Sequence, residues 1–94
     1  MNMKEIVFTA KFERDLKNAE RKHRDIKAFK KILELLHNEQ AIPRKYNDHQ
    51  LSGDKAGLRE LHISWKPDWL LLYEYSPDGN EVIFLRCGSH DEIL

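Results

Sequence analysis

Two segments decide how this chain is interpreted: residues 48–68, DHQLSGDKAGLRELHISWKPD, and residues 85–94, LRCGSHDEIL. In both, short apolar runs alternate with histidines and carboxylates, the groups that exchange protons near neutral pH. The alternation over residues 58–64 is that of a half-buried strand. It predicts one face made of Leu61 and Ile63, and an opposite face made of Glu60, His62 and Ser64. We therefore expect strands to carry several polar side chains to a common surface.

Four strands are predicted from β-branched, aromatic and leucine-rich runs that are separated by turn residues. The first run, EIVF, predicts an edge strand, whereas WLLLYEY is apolar on both faces and predicts the centre of the sheet. Turns are predicted at Pro67 and Asp68 and within SPDGN. Strict alternation in the last strand places Arg86 on the face of Val82 and Phe84. The predicted strands span residues 5–8, 58–64, 69–75 and 82–86.

Two helices are predicted after the first strand. Thr9 can cap a helix with apolar positions at Phe12, Leu16 and Ala19. Asp25 can cap a second helix, whose apolar stripe is Ile26, Phe29, Ile32, Leu33 and Leu36. Residues 38–57 show no sustained period and predict a long loop of a functional kind. The sequence thus predicts an α+β fold, in which an N-terminal strand and a two-helix hairpin pack on a small, mainly antiparallel, four-stranded twisted sheet.

Length and composition bound the class of protein. Ninety-four residues, 40% hydrophobic and 34% charged, predict one globular domain over residues 1–94. No apolar run approaches the roughly 18 residues of a membrane span, and the first residues lack the features of a signal peptide. We therefore expect a cytoplasmic protein without membrane contact. The single cysteine, Cys87, agrees with a reducing compartment.

Charge is unevenly distributed, although the formal net charge is zero. Ten of the 16 Lys and Arg residues lie within residues 1–31, against five of the 16 Asp and Glu residues. A basic helical face can bind RNA phosphates, and the alternative is an ordinary solvated surface. The residues of this basic face are Lys11, Arg14, Lys17, Arg21, Lys22, Arg24 and Lys27.

The element order and four short motifs resemble the YafQ branch of the RelE/ParE toxin superfamily over nearly the whole chain. The motifs are Asp48-His49-x-Leu51-x-Gly53, Arg59-x-x-His62, Pro67-Asp68-Trp69-Leu70-Leu71-Leu72-Tyr73 and Leu85-Arg86-x-Gly88-Ser89-His90. The resemblance implies a RelE-like fold and a toxin of a type II toxin–antitoxin system that cleaves mRNA in the A site of the 70S ribosome. It also implies a cognate antitoxin that is acidic, DinJ- or RelB-like and encoded nearby.

The resemblance also implies the site residues. The catalytic group consists of His49, His62, Asp68 and His90, and Arg86 lies near the scissile phosphate. Further RNA contacts are predicted for Lys45, Arg59 and Trp69. The antitoxin is expected to place an acidic segment near Arg59, Arg86 and His90, because the sequence offers these cations no evident partner.

The chemistry of RNA cleavage suggests a role for each group. Metal-free cleavage needs a base for the 2′-OH, a cation for the phosphoryl oxygens and an acid for the leaving 5′-oxygen. His90 is assigned as the acid because it follows a Gly-Ser turn at a strand end. Asp68 and His62 remain alternative bases, while His49 and Arg86 orient and neutralise the phosphate. No cofactor is expected.

Three alternatives remain open at this point. A ParE-like toxin that binds and poisons DNA gyrase would share the fold without needing acid/base groups. An inactivated relative would retain binding alone. A zinc site built from the same histidines and Asp68 lacks the closely spaced His or Cys pair typical of such sites, so no metal is predicted.

Two features depart from the family pattern. Five residues, ISWKP, separate His62 from Asp68, where a shorter connection is expected. The longer hairpin turn is predicted to bring Trp65 or Lys66 towards the substrate. Leu94 stands where relatives carry an aromatic residue that could stack on a base.

Overall fold

A computed structural model describes residues 3–93 and confirms the predicted α+β class. A five-stranded mixed sheet in the order β1-β5-β4-β3-β2 carries two long helices on one face. The helices are α1 (Ala10–Arg21), α2 (Ile26–His37) and a short α3 (His90–Ile93). The strands are β1 (Glu5–Phe8), β2 (His49–Gln50), β3 (Arg59–Trp65), β4 (Asp68–Tyr75) and β5 (Glu81–Gly88). None of the helices in the described range is long and apolar enough to cross a membrane.

The sheet is mainly antiparallel, as predicted, with β4 at its centre and β1 at one edge. Only the β1–β5 pair among the described strands is parallel. The fifth strand, β2, was not predicted, because its two residues lie in the segment expected to be a loop. It pairs with β3 and sets His49 directly opposite Glu60. This short edge strand therefore adds a histidine to the sheet.

Both predicted helix caps are present. The Thr9 side chain accepts a hydrogen bond from the Phe12 backbone N–H, and Asp25 accepts one from Ala28. Each cap satisfies one of the free N–H groups of the first helical turn. α1 ends at Arg21, four residues before the Asp25 cap of α2.

The main core lies between the two long helices and the sheet. It contains the predicted apolar stripes of both helices together with Leu61, Trp69, Leu71 and Phe84. A second, smaller cluster of Leu70, Leu72 and Ile93 covers part of the opposite face, with Leu51, Leu58 and Leu85 packed against it. Both faces of β4 are thus buried, which explains its continuous apolar run.

A β-bulge in β3 changes the direction of the side chains that follow it. The β3–β4 register shifts between His62 and Ser64, so that Ser64 pairs with Trp69 and Trp65 pairs with Asp68. Strict alternation would have kept Ser64 on the face of His62 and put Trp65 on the face of the helices. That prediction is wrong beyond Ile63, because the extra residue reverses the alternation.

The α3 helix was not predicted from the sequence. Ser89 and Glu92 form a reciprocal capping box: the Glu92 carboxylate accepts from the Ser89 N–H at 2.8 Å, and the Ser89 hydroxyl accepts from the Glu92 N–H at 3.3 Å. Gly88 allows the turn before it, because a Cβ there would lie 3.0 Å from Ile93 Cγ2. The turn places His90 beside the start of β4.

Candidate active site

Three residues from three elements meet at one end of the sheet. His90 Nδ1 and the His90 backbone N–H both lie 3.0 Å from Asp68 Oδ2. The other Asp68 oxygen, Oδ1, is 3.6 Å from His62 Nε2. Asp68 begins β4, His62 lies in β3 and His90 begins α3. The carboxylate therefore links two imidazoles that are separated in sequence.

A buried carboxylate, Glu60, lies on the same face and was assigned no role from the sequence. It is 3% exposed, and its Oε1 lies 3.8 Å from His49 Nε2 and 3.9 Å from His90 Nε2. Its Oε2 has no hydrogen-bond partner among residues 3–93. A buried carboxylate is costly unless a cation compensates it. The two imidazole nitrogens are therefore the groups placed to compensate this carboxylate.

His62 is held in a neutral environment. It is 5% exposed, and desolvation by this burial lowers its pKa below the usual value, although the nearby Asp68 charge acts in the opposite direction. Its Nδ1 is buried and has no hydrogen-bond partner in the described chain. Nε2 is consequently the nitrogen that can exchange a proton with a bound substrate.

Asp68 stays ionised across the neutral range. Partial burial alone would raise its pKa, but the hydrogen bonds from the backbone and ring of His90 outweigh burial and lower the pKa of Asp68. A carboxylate of lowered pKa is a weak base. It is well suited to orient His90 and to stabilise a proton on His62.

Arg59 does not face this cluster as a free cation. Its guanidinium donates to Asp48 at 3.0 Å, and Tyr73 donates its hydroxyl proton to the other Asp48 oxygen. The hydrogen bond with Asp48 raises the pKa of Arg59, and burial raises the pKa of Tyr73. The motif residue Asp48 thus fixes the long loop to β3 and β4.

Arg86 is also paired. Its Nε and a terminal nitrogen donate to Asp15 of α1 at 2.6 and 3.1 Å, a bidentate arrangement. A register shift between Leu72 and Tyr73 interrupts the alternation of β5 near Arg86. The expectation that Arg59, Arg86 and His90 lack partners is therefore wrong, since the described chain provides Asp48, Asp15 and Asp68.

The prediction that Trp69 contacts RNA is wrong. Trp69 is fully buried and its ring lies 6.2 Å from that of Phe29, because β4 directs it towards the helices. Trp65 is instead 55% exposed and stacks on His62. Lys45 is exposed, as an RNA contact requires. Leu94 lies outside the described residues.

The remaining potential nucleophile, Cys87, is inert. Burial raises the pKa of its thiol to about 12, so it is protonated at neutral pH. It is part of the main core, on β5, and has a packing role there.

The same end of the sheet could hold a metal ion. One ligand atom from each of His62, Asp68 and His90 lies within 4.8 Å of the others. Two imidazoles and a carboxylate suit zinc or copper. The sequence analysis considered a zinc site made of these residues and set it aside because the ligands are not closely spaced in sequence; the fold brings them together from three separate elements.

Comparison with known proteins places these features in a family. The family described as "Bacterial toxin of type II toxin-antitoxin system, YafQ" matches residues 4–94. The mRNA interferase toxin YafQ of Escherichia coli (strain K12) is 32% identical over 91 residues, covering 96% of this chain and 95% of that protein. The toxin chain in the E. coli DinJ-YafQ toxin–antitoxin complex has a TM-score of 0.85 at 30% identity, with 98% of each chain covered. A metal-bound toxin from Helicobacter pylori has a TM-score of 0.87 at 36% identity, covering 98% of this chain and 100% of that one.

Proposed function

Because this chain belongs to the YafQ family of bacterial toxins of type II toxin–antitoxin systems, we propose that it is an endoribonuclease that cleaves mRNA in the ribosomal A site. The observation that carries the proposal is the group His62, Asp68 and His90, which is joined through the Asp68 carboxylate on the side of the sheet away from α1 and α2. The E. coli relative is named an mRNA interferase, which supports RNA as the substrate.

The reaction uses the nucleophile that RNA carries itself. A base removes the proton of the 2′-OH, the 2′-oxygen forms a bond to the adjacent phosphorus, and the bond to the 5′-oxygen breaks as an acid protonates that oxygen. The products are a 2′,3′-cyclic phosphate and a free 5′-OH. The step consumes no cofactor.

His62 is the better of the two candidate bases. Its lowered pKa keeps the imidazole neutral near pH 7, whereas Asp68, with its lowered pKa, is too weak a base. Once Nε2 has taken the proton, the imidazolium lies 3.6 Å from Asp68 Oδ1, which stabilises it. Asp68 then acts as the orienting carboxylate.

His90 is the general acid. Its Nδ1 is bound to Asp68, so its Nε2 is the nitrogen that donates the proton. Glu60 Oε1 lies 3.9 Å from this nitrogen. The ring is half exposed, and a phosphodiester can therefore approach it.

His49 and Lys45 are the residues that contact the phosphate. The His49 Nδ1–H donates a hydrogen bond to the Asn47 carbonyl at 2.7 Å, so that Nε2 faces Glu60. Arg86 reaches substrate only if RNA competes with Asp15 for its guanidinium. Arg59 acts indirectly, by holding the loop that carries His49.

Binding to the ribosome and to an antitoxin uses the helical side. The basic face is exposed except for Arg24, which is half buried. It suits 16S or 23S RNA phosphates, and it suits the acidic segment of a DinJ-like antitoxin equally. An apolar groove between α1 and α2, lined by Phe8, Leu16, Ile26, Phe29 and Leu33, fits an antitoxin helix. Action on translating ribosomes would place the protein in the cytoplasm.

The alternatives are less well supported. A gyrase-binding toxin has no use for a carboxylate, Asp68, that bridges the imidazoles of His62 and His90. An inactivated relative would not need a buried Glu60 close to His90 and His49. The chain retains the complete set of acid and base groups.

Mapping of mRNA ends tests the proposal. The protein is induced in bacteria, and new 5′ ends are mapped with translation running and with initiation blocked. Cuts in frame with codons that disappear when translation stops are expected. Cuts that persist without ribosomes would exclude A-site cleavage, and the absence of new ends with inhibited gyrase would favour the gyrase-binding alternative.

A further inference from the structure

We propose that Trp65 is a stacking platform for one nucleobase of the mRNA next to the scissile phosphate, a role that rests on the function proposed above. Trp65 is 55% exposed at the tip of the β3–β4 hairpin. Exposed tryptophans are uncommon because the indole is costly to leave in water. Its position is unlike that of Trp69, which the core buries completely.

The indole is fixed on one face and open on the other. Its inner face stacks on the His62 ring, with centroids 3.6 Å apart and planes 7° from parallel. Its Nε1–H donates to the Lys45 carbonyl at 2.9 Å, which sets the rotation of the ring. An aromatic surface that is held flat before the ligand binds loses little entropy on binding.

The bulge in β3 is what brings Trp65 to the reacting groups. It pairs Trp65 with Asp68 and so returns the indole to the side of His62. The platform therefore touches the proposed base, which lies 3.6 Å from Asp68. A phosphodiester placed between His62 and His90 has its flanking bases within reach of this surface.

A nucleobase is the occupant that this surface suits best. Proteins hold unpaired RNA by stacking bases on exposed aromatic side chains. Lys45, whose carbonyl accepts the indole N–H, lines the same surface pocket as Trp65, so its side chain supplies a cation for the phosphate of a stacked nucleotide. Stacking of this kind tolerates any base and sets position more than sequence.

A double-substitution experiment tests the platform. Single-turnover cleavage is measured on ribosomes programmed with mRNA whose A-site nucleotides are made abasic one at a time. Trp65→Leu is expected to lower kcat/KM roughly five- to a hundredfold on normal mRNA, the range for loss of one stacked base. Removal of one particular base should cause the same loss in wild type and abolish the difference between wild type and variant. Trp65→Phe should keep most activity because it keeps a ring.

Matched controls separate stacking from folding. Tyr75→Leu removes a different exposed aromatic side chain, on β4. The cleavage rate of this variant relative to wild type should be the same whichever A-site base is removed. A Trp65→Leu defect of equal size on every abasic mRNA would overturn the proposal and assign the indole to shielding His62, as would undiminished activity. Failure of Trp65→Leu to fold leaves Trp65→Phe and Trp65→His, whose activities must follow ring size. Wild type that fails to cleave programmed ribosomes would instead refute the proposed function itself.

Discussion

Glu60 Oε1 lies 3.9 Å from His90 Nε2, and the Glu60 side chain is almost completely excluded from water. The pair links the second residue of β3 to the first residue of α3. A buried carboxylate is costly to folding, so its presence here points to a role in catalysis rather than in stability.

Replacement of Glu60 by Gln should separate activity from stability. We expect roughly tenfold slower cleavage, because His49 and His90 lose the carboxylate charge that lies 3.8 and 3.9 Å from their Nε2 atoms. The melting temperature should stay equal to or exceed that of wild type, since a buried charge is removed. Unchanged cleavage with a lowered melting temperature would mean that Glu60 is only structural.

His90→Ala should abolish most cleavage while leaving the fold intact. Loss of a positioned general acid costs about 10²–10⁴ in rate. The side chain is half exposed, so little packing is lost. The measurement is single-turnover cleavage on programmed ribosomes, with circular dichroism and antitoxin binding as checks. His23→Asn, at the exposed link between α1 and α2, is the matched control and should retain full activity.

Cleavage should depend on pH in a bell shape. The acid limb reports protonation of His62, and because burial lowers the pKa of His62 this limb should lie below the ordinary histidine value of about 6.5. The free energy of unfolding should depend on pH in the same range. Protonated His62 is favoured in the unfolded chain, so the stability that neutral His62 contributes is lost as pH falls below about 6.5. Rates and urea midpoints measured from pH 5 to 9 check both. A flat rate profile would contradict acid/base catalysis.

Metal ions should inhibit cleavage and should not be required for it. Zn²⁺ or Cu²⁺ bound by His62, Asp68 and His90 would occupy the nitrogens that exchange protons. Protein stripped of metal with EDTA and then desalted into the ribosome buffer should be as active as untreated protein, and micromolar Zn²⁺ should reduce its activity reversibly. His62→Gln should weaken metal binding as measured by calorimetry. Loss of activity after stripping, restored by one metal, would instead make the ion part of the mechanism.

The capping box of α3 should matter for catalysis more than for stability. Ser89→Ala removes the hydroxyl that accepts from the Glu92 N–H, and loss of such a cap costs about 1 kcal/mol. A less ordered His90 should lower kcat with little change in KM. Thr9→Ala removes a cap of the same kind from α1, far from the site, and should lower stability without a specific loss of kcat.

The sequence was most informative where local rules decide the outcome. Thr9 and Asp25 cap their helices as predicted, because the interaction spans only three residues. The capping box at Ser89 and Glu92 is equally local and could have predicted α3. The apolar run of β4 correctly placed it at the centre of the sheet.

Other features depend on contacts that the sequence does not reveal. Trp65 faces His62 because one extra residue in β3 reverses the alternation, whereas Trp69 in β4 faces the core. Glu60 is an ordinary charged residue of an alternating strand until β2 and α3 cover it. Arg86 forms a salt bridge with Asp15, which lies 71 residues earlier in the chain.

The parallel pairing of β1 with β5 determines how much of the chain must be synthesised before the sheet can close. Thr9 hydrogen-bonds to Phe84, 75 residues later, so the first strand finds its partner only after β5 has been synthesised. His90 follows β5 in the chain, and its carboxylate partner, Asp68, lies in β4. A nascent chain that stalls before Glu81 therefore has neither a closed sheet nor a general acid. Chains that end before Glu81 lack β5, α3 and His90, so the group His62, Asp68 and His90 cannot assemble in them.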